Sequence, residues 1–299
     1  MKIKYWIKAA RFRTLPLAFS CVLLSSSLVL ITQGNLSIKT LLLILTTTLL
    51  LQILSNFAND YGDAIKGVDK NRTGEQRMVQ SGKISKFQMK LAIVILSITT
   101  LIVGIYLIFS VFQKDLFEIL TFLILGVSSI IAAIKYTIGK SAYGYNAYGD
   151  LSVFIFFGMV GVIGSYYLFT KNFHWITIPG ALFTGLMSCG VLNLNNMRDY
   201  ANDKKNNKVT LVVKIGIAKS KKYHFLLLLL SIISLIIIII FSNNYYYWTS
   251  MMPLIFIVRH LYHLNKYQAM KLLDGQLKVI AISCFGCCFL SLIIGLLIN

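Results

Sequence analysis

The chain has 299 residues, of which 57% are apolar and only 10 are acidic, against 29 lysines and arginines. This apolar fraction exceeds the roughly 45–50% that is usual in soluble domains, and it excludes an ordinary soluble globular protein. The net charge of +19 is high enough for nucleic-acid binding, but the basic residues lie between apolar runs, as in membrane proteins. We therefore predict a lipid bilayer as partner and no nucleic acid.

Apolar runs of about 20 residues, the length that crosses a bilayer as a helix, recur along the chain. Because little sequence remains outside them, we predict an all-α polytopic membrane protein with a single domain over residues 1–299. About nine transmembrane helices would surround a central cavity. In chain order they are predicted at residues 14–32, 38–57, 91–112, 116–135, 151–169, 175–194, 225–241, 248–258 and 279–298.

The distribution of basic residues predicts the orientation in the membrane. With the N-terminus in the cytoplasm, 26 of the 29 lysines and arginines fall on the cytoplasmic side, which is the positive-inside distribution. We therefore expect a multi-pass protein of the cell (inner) membrane. The long connections 58–90 and 199–224 then face the cytoplasm, and ordered loops of this length are often functional.

The first of these connections begins with a cluster of polar residues at the end of the second predicted helix. If that helix continues, Asn56, Asn59, Asp60 and Asp63 share one face, because their spacings are three, four and seven. Asp69 follows a few residues later. Carboxylates at the edge of a membrane are costly unless they bind something.

A matching cluster ends the sixth predicted helix. Asn195, Asp199 and Asp203 are spaced four apart and form the same kind of stripe, with Asn196 and Arg198 between them. Such side chains also cap helices, but two matching clusters among ten acids favour binding. Oxygen ligands of this type hold Mg²⁺, which takes phosphate oxygens as further ligands. The stripes therefore predict Mg²⁺ around one diphosphate.

Basic residues follow both clusters and are the candidates for contacting the phosphates. Arg72 and Arg77 come after the first cluster, and Lys208 after the second. Guanidinium groups match phosphate oxygens well, although membrane topology alone accounts for many of the lysines. Arg198 has a second interpretation, because it can pair with the carboxylates beside it.

Three motifs carry a resemblance to a known family: Asn56-x-x-Asn59-Asp60-Tyr61-x-Asp63, Arg77-x-Val79-Gln80-Ser81-Gly82, and Asn195-Asn196-x-Arg198-Asp199-x-x-x-Asp203 with Lys208-x-Thr210-Leu211. They resemble the UbiA superfamily of intramembrane aromatic prenyltransferases. The second Asp motif and its flanks are similar to the branch that prenylates 1,4-dihydroxy-2-naphthoate in menaquinone biosynthesis.

The resemblance implies a mechanism and its site residues. In this mechanism a polyprenyl diphosphate would bind to Mg²⁺ that is held by Asp60, Asp63, Asp199 and Asp203. The residues near the diphosphate would be Asn56, Asn59, Asn195, Arg72, Arg77, Lys140 and Lys208. An aromatic acceptor would then attack the allylic carbon, and the naphthoate branch loses carbon dioxide. The remaining candidates for catalysis or the acceptor site are Asp69, Tyr136, Tyr143, Tyr145, Asn196 and Arg198. The active site would face the cytoplasm.

Two alternatives to this interpretation stay open. One alternative is an acceptor of another kind, such as 4-hydroxybenzoate, homogentisate, haem or a lipid, because one sequence does not identify the residues of the acceptor pocket. A cation transporter would use the aspartates as an ion relay, but it favours acids near the middle of the membrane. Two further polar residues, His260 and His263, lie three apart, and we expect them at the membrane interface.

Overall fold

The computed structural model describes residues 2–67, 76–139, 142–264 and 273–299. Within these ranges the fold is helical, and one isolated bridge, between Asn146 and Val209, is the extent of β pairing. The helices are α1 (Ile3–Ala10), α2 (Leu15–Gln33), α3 (Ile38–Lys66), α4 (Lys86–Phe112), α5 (Leu116–Lys135), α6 (Gly149–Val153), a π-helix (Phe154–Gly164), α7 (Ser165–Thr170), α8 (Thr177–Lys205), α9 (Leu211–Ile215), α10 (Ile217–Ser242), a 3₁₀ helix (Tyr245–Leu254), α11 (Ile255–Leu264) and α12 (Leu273–Ile298).

In the described part of the chain, eight helical segments are long and apolar enough to cross a membrane. The predicted all-α membrane fold is therefore confirmed, and the fourth predicted helix coincides with α5. The eighth predicted helix differs from the others, because it forms the 3₁₀ helix with Pro253 inside it, followed by α11. This segment runs antiparallel beside α12: Pro253 packs at Gly286, and His260 contacts Gln276. A count of nine membrane-crossing helices stays a prediction.

Two helices form the centre of the bundle. In the spans that contain α2 and α8, 72% of the 18-residue apolar stretch that could cross a membrane is buried. The corresponding share is 22% in α4 and 11% in α5. The helix α8 packs against α10, α12 and the π-helix, whose Phe157 carbonyl accepts a hydrogen bond from Thr184 Oγ1 of α8. Because the outer faces of α4 and α5 are apolar and exposed, they are the faces suited to lipid.

The two helices that carry the acidic clusters are longer than their apolar parts. Helix α3 continues nine residues beyond its predicted end and stops at Gly67, whose positive φ of 71° closes the last turn. Helix α8 continues to Lys205. Both predicted helix ends were therefore too early, since an apolar run marks the membrane and not the end of the helix. The continuation of the helices through both polar clusters is confirmed.

A buried histidine pair joins the last three long helices. Nε2 of His224 in α10 lies 3.0 Å from Nε2 of His260 in α11, and Nδ1 of His260 lies 2.8 Å from Gln276 Oε1 in α12. His260 is 2% exposed, so the interfacial position expected for it was wrong. Gln276 accepts from Nδ1, and this fixes Nε2 of His260 as the acceptor for His224.

Candidate functional site

The ends of α3 and α8 meet through one lysine. Nζ of Lys208 lies 3.9 Å from Asp63 Oδ1 and 4.0 Å from Asp203 Oδ1. Both aspartates are almost fully buried, and two buried carboxylates need compensating positive charge. The predicted meeting of the two stripes is therefore present for one aspartate from each, with an ammonium group between them.

Asp63 accepts hydrogen bonds from two side chains of the site. Arg77 Nη2 donates to its Oδ2 at 2.9 Å, and Tyr145 Oη donates to its Oδ1 at 2.6 Å. The predicted phosphate ligands Arg77 and Lys208 thus both lie at this carboxylate. One carboxylate, two cations and a phenol form a compact polar group below the membrane-spanning part of α3.

Asp60, one turn earlier in α3, holds part of the connection between α3 and α4. Its two oxygens accept hydrogen bonds from the backbone N–H groups of Met78, at 2.9 Å, and Val79, at 3.2 Å. These bonds position the adjacent Arg77 against Asp63. A carboxylate has about four acceptor positions, so Asp60 keeps capacity for a further ligand.

Asp199 lies in a second polar group, separate from Lys208. Arg198 Nε and Nη2 each donate to one Asp199 oxygen at 2.8 Å, which is the strong two-pronged geometry of arginine with a carboxylate. The same guanidinium donates to Asn195 Oδ1 at 2.8 Å and to Asp274 Oδ1 of α12 at 2.5 Å. The expected pairing of Arg198 with neighbouring carboxylates is therefore confirmed.

An aromatic ring lies between the cations of the site. The ammonium group of Lys66 is 3.7 Å from the ring centre of Tyr145, and that of Lys208 is 5.1 Å away. Backbone hydrogen bonds fix this arrangement, because Val209 N–H donates to the Tyr145 carbonyl and Ala147 N–H to the Val209 carbonyl. The segment around Tyr145, which connects α5 to α6, and the loop after α8 thus form one wall of the site.

The other two candidate tyrosines pack against each other beside this wall. The rings of Tyr136 and Tyr143 meet edge to face at 5.3 Å, and Tyr143 Oη donates to the Ala132 carbonyl. Burial raises the pKa of the Tyr136 hydroxyl far above its ordinary value, and the charges of Asp150, Asp63 and Asp203 raise it further. The pKa of the Tyr136 hydroxyl is therefore affected by carboxylates of α3, α6 and α8.

The candidate amides occupy different places in the site. Asn56 Nδ2 donates to the Ala10 carbonyl and to Thr14 Oγ1, so it ties α3 to the N-terminal segment. Asn59 Oδ1 is buried and has no hydrogen-bond partner among the described residues. The oxygen of Asn59 is therefore available to a ligand. Asn196 is 5% exposed.

Three predicted site residues lie outside the described ranges: Asp69, Arg72 and Lys140. Lys66, which was considered only as one of the basic residues that follow the first cluster, also belongs to the site and lies three residues after Asp63. Three other residues of the site were not predicted, namely Asp150, Tyr223 and Asp274. Asp274 is 76 residues from Arg198, and no local pattern links the two.

The donor chemistry suits a hard divalent cation, although the described side chains are held by protein partners. No group of three or more His, Cys, Asp or Glu side chains gathers for a metal ion within those ranges. Asp63 and Asp203 already share one positive charge, and Asn59 adds an open oxygen. These are the oxygen donors that Mg²⁺ uses together with phosphate oxygens.

The fold and this site define an integral membrane protein with carboxylates and cations gathered at one end of a helix bundle. Such a site is suited to a phosphate-bearing ligand with an apolar part. The model of the UbiA prenyltransferase family matches residues 18–273. The chain therefore belongs to the UbiA family, and it is a prenyltransferase.

Two relatives and one solved structure show the extent of this similarity. The 1,4-dihydroxy-2-naphthoate octaprenyltransferase of Escherichia coli is 44% identical over 73% of this chain and 71% of its own length. The enzyme of that name from Haemophilus influenzae is 41% identical over 75% and 73%. A UbiA homolog from Archaeoglobus fulgidus bound to GPP and Mg²⁺ shares the fold, with a TM-score of 0.64 and 15% identity over 95% of this chain and 99% of that one.

Proposed function

We propose that this protein transfers a polyprenyl chain from its diphosphate to 1,4-dihydroxy-2-naphthoate, with loss of carbon dioxide, in menaquinone biosynthesis. The observation that carries the proposal is the buried Asp63–Lys208–Asp203 group, which joins the two acidic stripes. The names of the relatives from Escherichia coli and Haemophilus influenzae support the acceptor. The Archaeoglobus structure with GPP and Mg²⁺ supports a diphosphate donor.

The cations of the site bind the diphosphate in this proposal. Arg77 offers a planar guanidinium fork, while Lys66 and Lys208 lie beside Tyr145 as point charges. Buried carboxylates hold Arg77 and Lys208 in place before the substrate arrives, and Lys66 lies against the Tyr145 ring. Preorganised positive charge stabilises the negative charge that develops on a leaving group. Arg77, Lys66 and Lys208 would therefore promote cleavage of the allylic C–O bond.

The carboxylates would hold Mg²⁺. Asp63, Asp203 and the oxygen of Asn59 are the first residues that would bind it, and Asp60 and Asp199 remain proposed ligands. When bound, Mg²⁺ supplies charge that stabilises the departing diphosphate. Lys208 would then turn from the two carboxylates toward the phosphate oxygens, since a cation of higher charge competes for the same pair.

The tyrosines would face the reacting carbon. Aromatic faces attract positive charge, and Tyr145 already has two ammonium groups near its ring. Tyr136 and Tyr143 present a second aromatic surface next to the carboxylates. A carbon that gains cationic character would be stabilised there, away from water that would otherwise capture it.

We also propose that this site opens to the cytoplasm at the inner membrane. The basic segments lie at the same end of the bundle as Asp63 and Asp203, and the positive-inside rule places that end in the cytoplasm. The donor would keep its apolar chain among the membrane helices, while its diphosphate would reach the polar group at the helix ends.

The test is turnover by the purified protein in liposomes with Mg²⁺ and labelled polyprenyl diphosphate. Naphthoate, 4-hydroxybenzoate and homogentisate are supplied separately, and carbon dioxide is collected. We expect prenylated product from the naphthoate with one carbon dioxide per product. Turnover of 4-hydroxybenzoate alone would contradict the acceptor, and turnover of none would contradict the function. Asp115→Asn, at the exposed start of α5, is the matched control and keeps full activity.

A further inference from the structure

Asp150 is a buried carboxylate that belongs to neither acidic stripe. It lies in the first turn of α6 and is 7% exposed. Among the described residues, its one side-chain hydrogen bond comes from Tyr223 Oη, which is 3.3 Å from Oδ1. A carboxylate with so few donors is costly at this depth, so the position favours a ligand that donates a hydrogen bond.

Tyr136 connects Asp150 to the diphosphate site. Its hydroxyl lies over Gly149, where an added Cβ would be only 2.9 Å from Tyr136 Oη. The absence of a side chain at Gly149 therefore lets the phenol pack directly beside the residue that carries the carboxylate. The rise in the pKa of Tyr136, caused first by burial and then by Asp150, Asp63 and Asp203, agrees with this placement.

Among the described residues, no cation forms an ion pair with Asp150. Tyr223 of α10 contacts its carboxylate, Cys189 Sγ of α8 donates to its backbone carbonyl at 3.2 Å, and Tyr136 lies on the side of the diphosphate site. A carboxylate without a cationic partner is a stronger proton acceptor than one held by arginine. Asp63 and Asp199, which both have arginine partners, are less suited to that task.

We propose that Asp150 binds the ring hydroxyl of the aromatic acceptor and takes its proton, and that Tyr223 is a positioning residue for this carboxylate. The proposal rests on the proposed function, because it assigns the acceptor end of that same site. Tyr136 then separates the acceptor hydroxyl at Asp150 from the diphosphate at Asp63 and Asp203.

The proposed step balances without a further reactant. The hydroxyl O–H bond breaks, its proton moves to the Asp150 carboxylate, and the ring uses the released electron pair to form a C–C bond to the allylic carbon. The allylic C–O bond breaks, and its electron pair leaves with the diphosphate. Loss of carbon dioxide from the alkylated ring carbon returns an electron pair to the ring oxygen, which takes the proton back from Asp150.

The test compares the wild type with Asp150→Asn in liposomes, using acceptors whose ring hydroxyls differ in acidity. We expect Asp150→Asn to lower kcat/KM for the natural acceptor by about 100-fold or more, which is the usual contribution of a general base. The ratio of wild-type to variant rates should narrow as the hydroxyl becomes more acidic, because such acceptors need a base less. Binding of the polyprenyl diphosphate alone should be unchanged.

Tyr223→Phe keeps the proposal testable if Asp150→Asn does not fold. It should lower turnover about tenfold, with the affinity for the diphosphate donor unchanged and the same narrowing with acidic acceptors. A loss that is equal for all acceptors, or wild-type activity in both variants, would overturn the role of Asp150 and leave the proposed function standing. Absence of prenyl transfer by the wild type would overturn both.

Discussion

Lys208 is the residue at which the charges of the two long helices meet. Its ammonium group lies about equally far from Asp63 and Asp203 and also near the Tyr145 ring. A single side chain thus lies between two buried carboxylates, and these carboxylates would repel each other more strongly without it. The residue was predicted as a phosphate ligand from its place after the second motif. Its position between the stripes adds a structural role, because it holds the two carboxylates near each other.

Replacing Lys208 tests that role at the scale of one residue. In Lys208→Met the two carboxylates lose their shared cation, and the diphosphate loses one positive contact. We expect kcat/KM for the donor to fall about 10- to 100-fold. At low Mg²⁺, most of this fall should come from a higher KM. Lys204→Met, an exposed lysine of the same helix end, should behave as the wild type. Equal activity of the two variants would argue against a role for Lys208 in binding.

Asp63 is the second residue with a sharp expectation. It accepts from both Arg77 and Tyr145, so Asp63→Asn leaves a buried guanidinium beside a neutral amide. We expect turnover to fall by at least about 100-fold, while Asp115→Asn retains full activity. Steady-state kinetics with labelled donor measure this change in turnover. A loss of turnover smaller than about fivefold would contradict an essential role of Asp63 in the site.

At the scale of elements, helix periodicity predicted more than apolar runs did. The three- and four-residue spacings of the clusters correctly indicated that α3 and α8 continue, and that Asp63 and Asp203 point to a common site. The partners of those residues could not be predicted. Arg198 donates hydrogen bonds to its neighbour Asp199 and to Asp274 of α12. Only tertiary packing brings α12 close to Arg198. The π-helix at Phe154–Gly164 was also not predicted, because its composition does not differ from that of an apolar α-helix.

The close contact between α3 and the segment after α5 predicts a stability effect. A Cβ at Gly62 would lie 2.7 Å from Thr137 Oγ1 and 2.9 Å from the Thr137 backbone carbon. Because the backbone cannot move aside easily, Gly62→Ala should destabilise the protein by about 1–3 kcal/mol. Thermal unfolding in detergent measures this as a lower Tm. The matched control is Gly126→Ala in α5, where nothing lies within 4 Å, and its Tm should not fall.

The histidine pair gives a second expectation for the helix packing. In His260→Leu, His224 keeps a buried ring nitrogen without its partner, and an unsatisfied buried polar group costs about 1–3 kcal/mol. The double variant His224→Leu/His260→Leu removes both polar groups and should recover part of that loss. The Tm values of the two variants test this, and a double variant with a lower Tm than His260→Leu would contradict it.

At the scale of the whole molecule, the described part of the chain divides into a buried centre and lipid-facing helices. The centre is formed by α2 and α8, while α4 and α5 have apolar outer faces. Composition and span length were sufficient to predict an all-α membrane fold, but they did not predict which helices form its centre. They were not sufficient for the 3₁₀ helix and α11 beside α12, since Pro253 and the contacts with Gly286 decide that geometry.

The central claim is that α3 and α8 together form one diphosphate site. Kinetics of Asp63→Asn, Asp203→Asn and the double variant, with labelled polyprenyl diphosphate and Mg²⁺, test it most directly. Residues that act as a unit have strongly non-additive effects, so we predict that the double variant loses scarcely more activity than either single variant. Two single losses that multiply in the double variant would contradict the claim, because they would mean that the two carboxylates act at independent places.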